Sequence, residues 1–115
     1  QVQERAEILG VKIIYTGEQV WESHIFELMD IILLEALSNC VRHAGASELY
    51  VKCSSGEQEW IMVITDNGQA MEKDVKEGGG LSGIRKRVEQ CGGSMRITAA
   101  PRFSITVKLL REVRR

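Results

Sequence analysis

The sequence predicts an α+β fold, a two-layer α/β sandwich whose mixed, mostly antiparallel sheet is covered by helices on one face. Two observations carry this. The segment patterns run helix, strand, helix, strand, strand, helix, strand, strand along 115 residues. The last segment, FSITVKLL, alternates Phe103, Ile105, Val107 and Leu109 with Ser104, Thr106 and Lys108, which gives the sheet one buried and one wet face.

Taken in order, QVQERAEIL reads as a short polar helix stopped by Gly10, and VKIIYT as a strand with Val11, Ile13 and Tyr15 on one side. Residues 17–21 connect it to a long helix, HIFELMDIILLEALSNCVRHA, with Ser23 as its N-cap and Gly45 at the left-handed position that closes it. ELYVKCS and EWIMVITD, separated by SGEQ, are rich in β-branched and aromatic residues and form a hairpin. Residues 67–80 lack periodicity. Helical spacing returns in LSGIRKRVEQC, with Leu81, Ile84, Val88 and Cys91 apolar and Gly92-Gly93 ending it. SMRITA and FSITVKLL complete the sheet, and the chain shows no internal repeat.

Bulk composition narrows the function. With 43% apolar and 27% charged residues this is an ordinary globular domain, and a net charge of −1 supplies no general field for nucleic acid. Anion binding therefore has to be local. Cys40, Cys53 and Cys91 are odd in number, far apart and set in apolar segments, as expected of reduced, mostly buried thiols in a cytoplasmic compartment. Glu35 interrupts the richest apolar run, which falls short of the roughly 18 residues of a membrane span. The expectation is a fragment of a longer protein, not itself embedded in a membrane, although the parent could be anchored in one.

Three segments carry chemistry. EGGGLSGIRKR places Gly78, Gly80 and Gly83 in a G-x-G-x-x-G spacing, which brings backbone close to phosphate. No strand precedes it, as a dinucleotide fold requires, and Ile84-Arg85 stand where a P-loop needs Lys and Ser or Thr. On the long helix, at about 100° per residue, Glu35, Asn39 and His43 share one flank with Arg42 beside them. Phe26, Met29, Leu33, Ala36, Leu37, Cys40 and Ala44 fill the other. An amide oxygen is a hard ligand suited to Mg²⁺. Finally, the strand EWIMVITD stops on Asp66-Asn67-Gly68, where a carboxylate can accept from an exocyclic amine such as that of adenine and a glycine lets a flat ring approach. Each segment also has a plainer explanation: a loop before a helix, a solvated helix face, a D-N-G turn.

In order and context, the three resemble the ATP-binding catalytic domain of bacterial sensor histidine kinases, members of the superfamily that holds gyrase, heat-shock chaperone and mismatch-repair ATPases with their Bergerat-type fold. LLEALSNCVRHAGA is similar to the family's N box, ITDNGQA to its first glycine box, and GGGLSGIRKRVEQCGGSM to its second with the following helix. The GLSGIRKRVEQCGG wording is nearest the subfamily with a short nucleotide lid.

The resemblance implies ATP and Mg²⁺ as cofactors. Asn39 would ligate the metal, Arg42 or His43 would lie near the phosphates, and Asp66 would bind the adenine amine with Gly68 making room for the base. Gly80 and Gly83 would let the loop and the helix start at Leu81 present backbone N–H groups to the phosphates, with Gly78 also binding ATP, under a lid formed by residues 69–79. Glu35 would be catalytic: in related ATPases the corresponding Glu orients a water, and in a kinase it would polarise or position the incoming histidine.

Two positions depart from the pattern. Ala70 replaces the last glycine of the first box, and Arg102-Phe103-Ser104 stands where Gly-Thr is usual, leaving Ser104 or Thr106 to supply the missing hydroxyl. Neither His24 nor His43 sits in an acceptor motif. The implied partners are a histidine-bearing dimerisation domain of a homodimeric parent and a downstream response regulator. Residues 1–9 would be the end of a linker and 10–115 the catalytic domain. The alternatives within this resemblance are an anti-sigma-factor-type serine kinase and a degenerate interaction domain without nucleotide.

Overall fold

The computed structural model describes residues 2–18, 23–41, 45–68, 79–98 and 102–110. Within them the elements are α1 (Val2–Leu9), β1 (Lys12–Gly17), α2 (Ser23–Asn39), β2 (Glu48–Ser55), β3 (Glu59–Asp66), α3 (Gly79–Gln90), β4 (Ser94–Thr98) and β5 (Ser104–Leu110). The order along the chain is the one the sequence predicts.

The strands form one sheet in the order β1-β2-β3-β5-β4. β1 and β2 are parallel, with Lys12 opposite Glu48, because α2 carries the chain back across the sheet between them. The other pairings are antiparallel. Alternation decides the faces: Leu49, Val51 and Cys53 of β2, Trp60, Met62 and Ile64 of β3, and Ile105, Val107 and Leu109 of β5 are buried under the helices. Tyr50, Lys52 and Lys108 on the opposite face are exposed.

α2 buries Ile25, Leu28, Met29, Ile32, Leu33, Ala36, Leu37 and Cys40, a stripe of helical spacing that crosses the core. Phe26, expected on the buried side, is instead 52% exposed. β1 is the edge strand, and Phe26 and Tyr15 line an open hollow on that flank, which no further strand covers among the described residues. α1, the segment read as a linker end, contributes Val2 and Ala6 to the same core.

Helix ends follow the glycines. Past α3, Gly92 adopts φ 77°, its N–H donates to the Glu89 carbonyl, and the N–H of Gly93 donates to Val88, a Schellman closure. Gly10 and Val11 close α1 onto Glu7 and Ala6 in the same way. Cys91 therefore falls beyond α3, where it is exposed rather than continuing the apolar stripe; Cys40 and Cys53 are buried as expected. Among the described residues no helix is long and apolar enough to cross a membrane.

Candidate nucleotide site

The end of β3 and the C-terminal half of α2 meet at one corner of the core. Asp66 continues the buried face of β3 and is 1% exposed, although it is a carboxylate. The turn that follows explains how it is held. Its Oδ1 accepts from the Gly68 N–H at 2.8 Å, and its backbone carbonyl accepts from Arg102 Nη1 at 3.4 Å. Oδ2 is buried and accepts nothing among the described residues. Burial pushes the Asp66 carboxyl above its ordinary range, opposed by the Gly68 N–H and the Arg102 charge.

Asn67, between them, does a different job. Its Oδ1 accepts from the N–H groups of Ser47 and Glu48, each at 2.9 Å, and its Nδ2 donates to Ser47 Oγ at 3.0 Å. That side chain pins the start of β2 to the end of β3. D-N-G is thus a turn and a candidate site at once: Asn67 and Gly68 fix the backbone so that Asp66 keeps one acceptor free. Sequence reasoning passed over Asn67, whose signal was its place in the D-N-G triplet.

Asn39 closes α2 at 8% exposure, and its Nδ2 is also buried without a partner among the described residues. The chain continues through a wider turn at Cys40 and Val41, a distortion common beside functional groups. The neighbouring Cys40 thiol is pushed up to about 11, first by burial and then by the Asp66 charge, which ties this end of α2 to the Asp66 corner. Glu35, one helical turn before Asn39, is half-buried and faces α3: a Cβ on Gly80 would come within 2.6 Å of its Oε2.

Gly80 is the second residue of α3, and Leu81 beside it is buried. A Cβ on Gly83 would meet nothing within 4 Å, so the protein's own packing does not demand glycine there. The structure thus sets Glu35 against the start of α3 and Asp66 near Cys40, the residue after Asn39. Arg42, His43, Ala70, Gly78 and most of the expected lid lie outside the described residues.

The missing hydroxyl is not made good where it was expected. Thr65 pairs with Ser104 and Val63 with Thr106 on the face away from the helices, whereas Asp66 points to the core side. Continuing the register by one residue sets Phe103, 3% exposed, opposite Asp66. An apolar ring therefore stands beside Asp66 where no hydroxyl reaches from β5.

For Mg²⁺ the protein offers little alone. Among the described residues no three His, Cys, Asp or Glu side chains group as a metal site. One amide and one carboxylate fit Mg²⁺ only as partners of phosphate oxygens and water, the usual way that ion is bound.

The model of the histidine kinase-, DNA gyrase B-, and HSP90-like ATPase family matches residues 26–112. The chain belongs to this ATPase family. Sensor histidine kinase YxjM of Bacillus subtilis (strain 168) is 32% identical over 110 residues, 95% of this chain and 27% of the relative. Signal transduction histidine-protein kinase/phosphatase DegS of Brevibacillus brevis is 33% identical over 93 residues, 79% of this chain and 24% of the relative. The chain thus spans about a quarter of the length of these relatives. In structure, the ATPase domain is similar to Acinetobacter baumannii histidine kinase AdeS, with a TM-score of 0.73 at 18% identity, covering 96% of this chain and 59% of that one. It is also similar to the mycobacterial sensor histidine kinase MprB, with a TM-score of 0.69 at 18% identity, covering 95% and 89%. The α+β architecture of this domain is that of histidine kinase catalytic domains.

Proposed function

We propose that this ATPase domain binds ATP at the Asp66 corner and serves a sensor histidine kinase, passing the γ-phosphoryl to a histidine on a separate dimerisation domain of the parent. The single observation that carries the reading is the buried, unpartnered Oδ2 of Asp66. A carboxylate oxygen kept from water and from internal donors is costly unless a ligand donates to it. The adenine amine is such a donor, and Gly68, with no Cβ, would let the base approach the backbone beside it.

From that anchor the phosphates extend to the start of α3, where Gly80 and Leu81 in the first turn present backbone N–H groups, Gly83 one turn on leaves the approach open, and Gly78, Arg42 and His43 are the sequence neighbours expected alongside. Asn39, with phosphate oxygens, would hold Mg²⁺, which when bound neutralises charge on the triphosphate. Glu35 would align or polarise the incoming imidazole. The bond from the γ-phosphorus to the bridging oxygen breaks as a bond to the imidazole nitrogen forms, and ADP leaves with the oxygen. Such transfer depends mainly on alignment and charge stabilisation. The acceptor domain, a response regulator and a dimeric parent are the partners this reading requires.

The test is incubation of the domain with γ-labelled ATP and a histidine-bearing helical hairpin from the parent kinase. Label that is acid-labile and base-stable supports phosphohistidine. Acid-stable label would turn the assignment to the serine kinase, and the absence of transfer despite ATP binding would remove the kinase reading.

A further inference from the structure

α3 has no acidic residue of its own in its first turn. The first turn of a helix leaves N–H groups without intrahelical partners and carries the positive end of the helix dipole. A carboxylate from another element lies against that turn: Glu35 of α2 packs where a Cβ on Gly80 would stand. Its place is the one assigned above to the phosphates.

We propose that the Glu35 carboxylate is a built-in competitor for the phosphate tail, holding the start of α3 until nucleotide displaces it. This inference rests on the nucleotide reading above. Two anions cannot share that position, since like charges a few ångströms apart repel strongly where water is partly excluded. Glu35 is half-buried, and its acid group sits at the end of a flexible stem, so it can turn away without disturbing the core. Nucleotide entry therefore exchanges one anion for another at α3, and the exchange costs affinity. A metal ion on the phosphates weakens the repulsion, so the competition is strongest without it.

The test compares the domain with its Glu35→Gln variant, which keeps the shape and removes the charge. Both are titrated calorimetrically with ADP and with β,γ-imido-ATP, in chelator and then with Mg²⁺, after melting curves establish that both are folded. In chelator Glu35→Gln is expected to bind roughly two- to five-fold tighter, the range set by removing one favourable charge from a helix N-terminus. With Mg²⁺ the gain shrinks. Equal or weaker binding by the variant in chelator, with wild type binding normally, overturns the competitor role and leaves the site intact. Failure of the wild type to bind either nucleotide overturns the site itself and the competitor with it.

Discussion

The Glu35 carboxylate lies on the Cα of Gly80, so that the polar flank of α2 and the first turn of α3 meet with no space for a side chain between them. The two residues are 45 positions apart, and their contact joins the two segments that the sequence marks as separate boxes.

Gly80 and Gly83 should respond oppositely to substitution. Gly80→Ala drives a methyl into the Glu35 carboxylate, which has to swing aside, so the melting temperature of the ligand-free domain should fall by only a few degrees. Gly83→Ala meets nothing within 4 Å, and the helix preference for Ala over Gly should stabilise the ligand-free domain by about 0.5–1 kcal/mol. Thermal melts of both variants check this.

Asp66→Asn should weaken ATP binding by about 10- to 100-fold, the loss expected for a hydrogen bond of about 1.5–3 kcal/mol to a charged group. The same variant should melt higher at neutral pH. Burial raises the Asp66 pKa, so the folded state favours the protonated form, and the penalty for its charge is fully present above the folded pKa. That penalty fades as pH falls toward the ordinary carboxylate range. The stability difference between variant and wild type should shrink with it, as melting curves between pH 7 and pH 4 would show.

Asn39→Ala should remove the magnesium-dependent part of nucleotide affinity and leave the adenine-dependent part. Titrations of the variant with ATP, with and without Mg²⁺, should then coincide. A persistent magnesium effect would assign the metal to other groups.

Alkylation should separate the thiols. Cys91 is exposed and should react quickly; Cys40, buried and with its thiol pushed up to about 11, and Cys53, also buried and pushed up, should react only when the domain opens. Peptide mass mapping after brief treatment with iodoacetamide at pH 8 reads out the order.

Much of this was legible in the sequence because local rules govern it. The alternation of Phe103, Ile105, Val107 and Leu109 set the buried face of the last strand, and Gly10 and Gly92 take the left-handed conformations that their positions after helices require. Phe26 and Cys91 were misplaced for tertiary reasons: one faces the flank beyond an edge strand, the other follows a helix that ends one residue earlier. The hydroxyl expected from Ser104 or Thr106 depended on the register of β5 against β3, which pairing across the sheet decides and local pattern does not. The contact of Glu35 with Gly80 had no local signal at all, since helix spacing says which flank a residue takes but not what it meets.

The most direct test is a calorimetric titration of this domain with ATP, with and without Mg²⁺, beside Asp66→Asn. Saturable binding that strengthens with Mg²⁺ and weakens about 10- to 100-fold in the variant is the predicted result. No saturable binding, or binding that ignores the loss of the Asp66 carboxylate, would contradict a nucleotide site built on that residue.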